Sequence, residues 1–301
     1  MKPGALNYLL FVLMAVGCTE KRESEGPKYG EAQQAGDMHV YHFAVHPLHN
    51  PNKLMQEYQP LIDYLNSRIV GAHFVLEASR DYASFEEKYK NRGPEFLLPN
   101  PWQTLQAMKV GYNVMATAGE PRDFRGFFIV HKDNGIQTLQ DLHGKAISYP
   151  SMTALAACIM PQYYLFMHGI DVNHDIENHY VGSQESSILN VYLNITSVGV
   201  TWPPPWRAFQ KDYPKEAAQL KIAWETESLI NNSVMSRDDV PTQIRAQVFQ
   251  YLTGLQETDS GKQILANMET ARFIPASDQD YDVVRTYVEA LEKHVRKVEY
   301  K

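Results

Sequence analysis

Four histidines, His39, His42, His46 and His49, crowd one short stretch of the chain. Neutral imidazoles are common zinc and copper ligands. His42 and His46 would share one face of a strand, but at about 3.3 Å per residue they would stand about 13 Å apart, too far for one ion. Only His46 and His49, in the loop beyond, would converge, and no acidic or thiolate cluster accompanies them, so no metal site is expected. A second group is Thr201-Trp202-Pro203-Pro204-Pro205-Trp206-Arg207. Three prolines are expected to stiffen it into an extended loop, and two indoles with a guanidinium offer a wall for a planar or anionic ligand. The same residues suit a rigid surface loop with one buried Trp, or a docking surface for a membrane partner. Catalytic signatures are absent: the chain has no Gly-x-Ser-x-Gly, no His-Glu-x-x-His, no phosphate-loop Gly-Lys-Ser/Thr and no Gly-x-Gly-x-x-Gly. Cys158 lies in the apolar run LAACIM and reads as a buried thiol rather than a nucleophile. The expectation is therefore no catalytic residue, no cofactor and no enzyme activity.

The elements that must position these residues are constrained by composition. The 301 residues are 44% hydrophobic and 21% charged, with 28 Lys plus Arg against 35 Asp plus Glu and a net charge of −7. Such a chain is globular rather than disordered and lacks the basic field of a nucleic-acid binder. Its two cysteines exclude a disulfide scaffold and a four-cysteine zinc site. Residues 1–18 read MKPGALNYLLFVLMAVGC: Lys2, then an apolar stretch of signal-peptide length, short for a bilayer span. Small residues before Cys18 resemble a bacterial lipobox, in which Cys18 would be lipidated; an ordinary secretory signal is the alternative. Residues 19–37 are polar and charged and read as a flexible tether. The folded part is thus expected outside the cytoplasm, in the periplasm or cell envelope, lipid-anchored to a bacterial membrane.

Along the body, strand and helix signals alternate. VYHFAV is a β-branched and aromatic strand. Leu54, Tyr58, Leu61, Ile62 and Leu65 follow with helical spacing, Pro60 among them. AHFVLEA, YNVMATA, FRGFFIVHKD, AISYP, ENHYVG, SVGVTW and KIAWET read as strands. DYASFEEKYKNR, TLQAMKVG, residues 151–169, VPTQIRAQVFQYLTGL and DYDVVRTYVEALEKHVRKV read as helices. This alternation predicts an α/β fold with a largely parallel sheet.

The segment FAVHPLHNPNKLMQEYQPLIDYLNSRI resembles the opening of the phosphonate-type periplasmic substrate-binding proteins of ABC transporters, in which a strand, a proline-containing loop and a helix bearing Tyr-x-Pro-Leu-x-x-Tyr-Leu follow one another. Tyr58, Pro60, Leu61, Tyr64 and Leu65 match. So do Asp81-Tyr82, Asp141-Leu142-x-Gly144-Lys145, Gly169-Ile170-Asp171, Gly182-Ser183 and Asp280-Tyr281-Asp282-x-x-Arg285. The resemblance implies a type II periplasmic-binding-protein-like fold: two β-sheet lobes flanked by helices, joined by a hinge of two crossing strands. Lobe 1 would comprise 38–123 plus 225–301 and lobe 2 would comprise 124–224.

It also implies a ligand cleft between the lobes. Ser151 and Thr153 stand in the family's Ser/Thr-rich anion loop at a helix start, where such residues also serve as ordinary caps. Tyr82 matches a cleft tyrosine. A second cleft tyrosine is missing near Pro99, with Asn100 and Trp102 the nearest substitutes, and Trp102 suits the core equally well. Gln184 stands where the family commonly has a histidine, and Ser197 near the place of its usual aspartate, which makes an aminoalkylphosphonate an unexpected ligand. His46, Thr201 and Trp202 complete the expected site. The implied function is a solute-binding lipoprotein that captures a small oxyanion or polar organic ligand and delivers it to an ABC permease. The alternative is a sensory or interaction lipoprotein signalling through a membrane sensor protein. A monomer with no nucleic-acid partner is expected.

Overall fold

The computed structural model describes residues 38–298. The chain opens with β1 (His39–Val45), then α1 (Pro51–Arg68) and β2 (Ala72–Glu77). Asn50 starts α1 by accepting the Lys53 N–H on its side chain at 3.0 Å, and Pro51 fits the first turn, where an N–H has no intrahelical acceptor. The five apolar residues with helical spacing are the five that α1 buries. Next come α2 (Tyr82–Lys90), β3 (Phe96–Leu98), α3 (Pro101–Met108) and β4 (Tyr112–Ala118). The chain then crosses to a second sheet through β5 (Phe127–His131), β6 (Lys145–Tyr149), α4 (Met160–Met167), β7 (Ile176–Tyr180) and α5 (Gln184–Tyr192). β8 (Val198–Thr201), α6 (Pro203–Asp212), α7 (Pro214–Ala217) and β9 (Leu220–Glu225) complete that part. It returns with β10 (Ser233–Arg237), α8 (Thr242–Thr253), α9 (Asp259–Asn267), β11 (Phe273–Pro275) and α10 (Asp282–His294).

Within the described residues the strands form two sheets, a six-stranded one ordered β11-β4-β10-β3-β1-β2 and a five-stranded one ordered β7-β6-β8-β5-β9. Both are mixed rather than largely parallel. β1 runs parallel to β2 and β3, and β6 parallel to β7 and β8. β5, which enters from the first sheet, is antiparallel to its neighbours, and so is β10, which returns from the second. The alternation of strands and helices reports the parallel units; strands arriving from the other lobe carry no such signal.

The two crossings hydrogen-bond to each other: Thr226 N–H to Gly126 O at 2.9 Å and Leu229 N–H to Phe124 O at 2.9 Å. They form a two-stranded ribbon between the lobes. Gly119, at its start, has φ +79°, and a Cβ there would stand 2.8 Å from the Asn231 side-chain nitrogen. One continuous apolar core runs through both lobes and includes Phe43, Phe96, Phe128, Ile147 and Trp202.

Candidate functional site

The lobes meet over the carboxyl ends of β1, β3, β6 and β8, where loops of an open α/β sheet converge. His46 follows β1, Asn100 caps α3, and Tyr82 opens α2. From the second lobe come residues 154–157, Gln184 at the first position of α5, and Trp202 at the end of β8. With Phe124 and Asn232 these line one cavity of about 10 Å³. Trp202 and Asn232 also line a second cavity of about 20 Å³, with Asp123, Pro204, Asn231 and Glu269 in its wall. Each has room for about one water molecule.

Polar contacts across this interface are specific. Gln184 Nε2 donates to the Tyr82 hydroxyl at 3.2 Å, and its Oε1 accepts the Thr201 hydroxyl at 3.0 Å. Asn100 Nδ2 donates to the Thr153 carbonyl at 3.2 Å, and Thr153 Oγ1 donates to Glu86 Oε1 at 2.8 Å. Ser151 Oγ lies 3.1 Å from Thr153 Oγ1. His46 Nδ1 is 2.9 Å from the Leu98 carbonyl. A carbonyl only accepts, so Nδ1 carries the hydrogen and Nε2 of the neutral ring remains an acceptor. Burial pushes the His46 pKa down to about 4 against the opposing Leu98 hydrogen bond, so the ring is neutral at pH 7. Burial likewise pushes the Glu86 carboxyl above its usual range, with Thr153, Gln103 and Lys90 opposing. Among the described residues no Lys or Arg lines either cavity.

The helix expected to open at residue 151 opens later. Residues 155–159 wind one wide turn, with Ile159 N–H bonded to Ala154 O at 3.1 Å, five residues back. Pro161 accounts for it: proline has no N–H to close an ordinary turn onto Ala157, and its ring would crowd that carbonyl. Wide turns of this kind recur at functional sites. The crossing segment passes directly beneath, where a Cβ on Gly126 would stand 2.6 Å from Ala156 O and from Pro161 Cγ. The first-turn N–H groups of 155–158 have no acceptor within the helix, and the first three of these residues line the cavity.

The segment expected to be an extended proline loop is the start of α6, with Trp202 as N-cap and Pro203, Pro204 and Pro205 in the first turn. First-turn N–H groups have no intrahelical acceptor, so prolines cost little there. They also leave no N–H at three positions that an anion would otherwise use. Trp202 is buried against Phe124, ring centroids 5.4 Å apart, and it alone of the two tryptophans lines the cavity. Trp206 is a core anchor stacked on Phe209 at 6.0 Å. Arg207 is no wall of the cavity: its Nε lies 3.0 Å from Glu269 Oε2 and its Nη1 3.5 Å from Asp123 Oδ1, bridging the lobes.

Of the expected residues, His46, Tyr82, Asn100, Gln184 and Trp202 share the cavity wall, and Ser151, Thr153 and Thr201 are hydrogen-bonded into the same group. Trp102 is buried in the core and is not part of the wall. Ser197 precedes β8, at the end opposite Thr201; its carbonyl accepts from Asn134 at 3.1 Å. Over four strand residues that is about 13 Å from the cavity end. Cys18 lies outside the described residues. His42 pairs with Glu77 at 2.7 Å and His49 with Glu57 at 2.9 Å. Two participants carry little signal in the sequence. Glu86 follows Tyr82 by one helical turn, a spacing that puts both on one face. Asn232, whose Oδ1 is buried without a hydrogen-bond partner, carries no signal beyond a polar pair before a strand.

Residues 43–281 match the family model described as ABC transporter, phosphonate, periplasmic substrate-binding protein. A probable ABC transporter phosphite binding protein, PhnD1 of Prochlorococcus marinus (strain MIT 9301), is 22% identical over 181 residues, 56% of this chain and 61% of its own length. Among solved structures, a binding protein component of an ABC phosphonate transporter from Pseudomonas aeruginosa superposes with a TM-score of 0.78 at 15% identity, covering 85% of this chain and 87% of that one. PhnD1 of Prochlorococcus marinus in complex with methylphosphonate does so with a TM-score of 0.76 at 18% identity, covering 84% and 98%.

Proposed function

The chain belongs to the family of periplasmic substrate-binding proteins of ABC phosphonate transporters, and from that premise we propose that it captures a small oxyanion of the phosphonate or phosphite class between its lobes and hands it to an ABC permease. One observation carries the reading. The wide first turn at 155–159 meets Tyr82, His46 and Asn100 of the opposite lobe at one cavity, with the Ser151–Thr153 pair behind its wall and the Thr153 carbonyl bonded to Asn100. Neutral donors at a helix start are the usual means of holding an anion without a counter-ion. A phosphonate has several heavy atoms and the cavity holds about one water, so entry requires the lobes to part about the crossing ribbon. In this reading 38–123 plus 225–301 move as one lobe and 124–224 as the other. The protein acts as a monomer in the periplasm, tethered through lipidated Cys18.

The test is thermal unfolding of the full chain in detergent, refolded beforehand to strip carried-over ligand. The panel is phosphate, phosphite, methylphosphonate, aminoethylphosphonate, methanesulfonate and small carboxylates. Ligand at 100 times its dissociation constant stabilises by about 2.7 kcal/mol. A saturable shift with phosphite or an alkylphosphonate, lost in Thr153→Val, is expected. No shift with any panel member would refute the oxyanion reading.

A further inference from the structure

Arg296 stands just beyond α10, in the stretch assigned above to the first lobe, yet its guanidinium grips the second. Nε donates to Gln162 Oε1 at 2.6 Å, and Nη2 donates to the Met152 carbonyl at 2.8 Å and to Cys158 Sγ at 3.4 Å. These three residues bracket the wide turn: Met152 precedes it, Cys158 lies within it, and Gln162 follows it. Nη1 donates locally, to the Lys297 carbonyl at 3.0 Å. Every one of these acceptors is neutral. Cys158 is kept as a thiol, because burial pushes its pKa up to about 11. Burial likewise raises the phenols of Tyr149 and Tyr180, the other titratable groups on this side. Glu292 of α10 is engaged elsewhere, by Lys297 Nζ at 3.5 Å and the Val298 N–H at 3.1 Å. No carboxylate pairs with Arg296 among the described residues.

A half-buried guanidinium without a counter-ion is unfavourable, because its charge is partly desolvated and nothing of opposite sign compensates it. Its place makes this worse. It sits at a helix start, where the macrodipole is itself positive and a cation is disfavoured. Both positive charges act on the same short segment, whose residues 154–157 line the cavity between the lobes. An anion in that cavity offsets both at once. We infer that Arg296 is the counter-charge of the captured oxyanion, acting from behind the wide turn and holding that turn in the shape that presents its N–H groups. Arg296 does not line the cavity, so it is a positioning residue whose charge reaches the ligand through the wall. This supplies the cation that the cavity wall itself lacks. The planar fork suits the task, since it bonds acceptors on both sides of the turn while keeping its full charge. Arg296 and the turn come from different lobes in the reading above, so closure brings the charge and the N–H groups together.

The inference rests on the oxyanion reading, and the experiment separates the two. Methylphosphonate binding to the full chain in detergent is measured by calorimetry at neutral pH for the wild type, Arg296→Gln, Arg296→Lys and Lys293→Gln. Gln keeps N–H donors for a carbonyl but no charge; Lys keeps the charge but not the fork. Lys293→Gln removes the same charge from the exposed end of α10. Arg296→Gln is expected to weaken binding by about 4- to 30-fold, what one charge behind a cavity wall supplies at an effective dielectric of about 20–40. Arg296→Lys should recover at least half of that loss on a logarithmic scale, and Lys293→Gln should stay within about twofold of the wild type, its charge being screened by solvent. A purely structural clamp gives a different result, since Lys cannot bridge the two sides of the turn. Lys no better than Gln therefore overturns the inference, as does Arg296→Gln binding within about twofold of the wild type, or an equal loss in Lys293→Gln; each leaves the oxyanion reading standing. Absence of binding by the folded wild type overturns the oxyanion reading and this inference together. If Arg296→Gln fails to fold, Arg296→Lys carries the test alone, and a loss beyond about fivefold in it overturns the counter-charge.

Discussion

His46 shows how burial of one side chain sets both a site property and a pH limit. Its pKa falls from 6.5 to about 4 because the folded protein desolvates the ring. Unfolded, the imidazole takes a proton below about pH 6.5; folded, it does so only near 4. Between these values the unfolded state binds more protons, so the stabilisation is fully present above the upper value and is lost as pH falls through the window. The full shift corresponds to about 3 kcal/mol. Urea unfolding of the wild type should therefore show a lower midpoint at about pH 4.5 than at about pH 7, and His46→Gln should remove part of that difference; equal losses in both proteins would refute the assignment. Cys158 is the counterpart in reactivity. It is fully buried, and burial pushes its pKa up to about 11 despite Arg296 Nη2 at 3.4 Å. Iodoacetamide should label it only after denaturation, as read by peptide mass spectrometry; labelling of the native protein at the rate of a free thiol would show that the thiol is accessible.

The packing of α5 on β8 converts a glycine into a determinant of the site. A Cβ on Gly199 would stand 2.3 Å from Ser187 O and 2.7 Å from Val191 Cγ2. Ser187 Oγ accepts the Val200 N–H at 3.0 Å, fixing the helix to the strand. The first residue of that helix is Gln184, which reaches Tyr82 in the other lobe. Gly199→Ala must push α5 outward, with an expected loss of about 1–3 kcal/mol and weaker ligand binding; a melting curve matching the wild type would show that the helix yields without cost. This element also marks what a sequence discloses. The strand SVGVTW and the apolar stripe of α1 are readable because their periods of 2 and 3.6 are local properties. The wide turn at 155–159 and the start of α6 are not: a proline run reads as a loop unless the turn it begins is seen to be a helix's first. Ser197 is a chain neighbour of the site, yet strand direction delivers Thr201 to the cavity and leaves Ser197 at the far end. Glu86 looked like any acid on a helix. Its burial is created by Thr153 and Gln103, residues distant in sequence.

The polar contacts between the two lobes fall into a buried group and an exposed rim, and the proposed opening would have to break both. The buried and half-buried ones include Gln184 to Tyr82, Asn100 to Thr153 and Thr153 to Glu86 at the cavity, and Arg296 to the Gln162 side chain and the Met152 carbonyl away from it. Around the rim, Lys53 of α1 pairs with Asp212 of α6, and Arg207 of α6 with Glu269 beyond α9. Asp212 and Arg207 are about two-fifths exposed, so each rim pair contributes about 0.2–1 kcal/mol. These pairs form only when the lobes meet and touch no ligand, so their effect on affinity acts through the population of the closed form. Removing one, in Lys53→Met or Arg207→Met, should weaken oxyanion binding by about 1.5- to 5-fold, mainly through faster dissociation. Salt should do the same to the wild type, because exposed pairs are screened over about 10 Å at 0.1 M, and the double variant should have lost most of that salt dependence. Stopped-flow release at two ionic strengths measures both effects. Unchanged release in the double variant would show that the rim pairs do not favour closure, and would leave the buried contacts as what holds the lobes together.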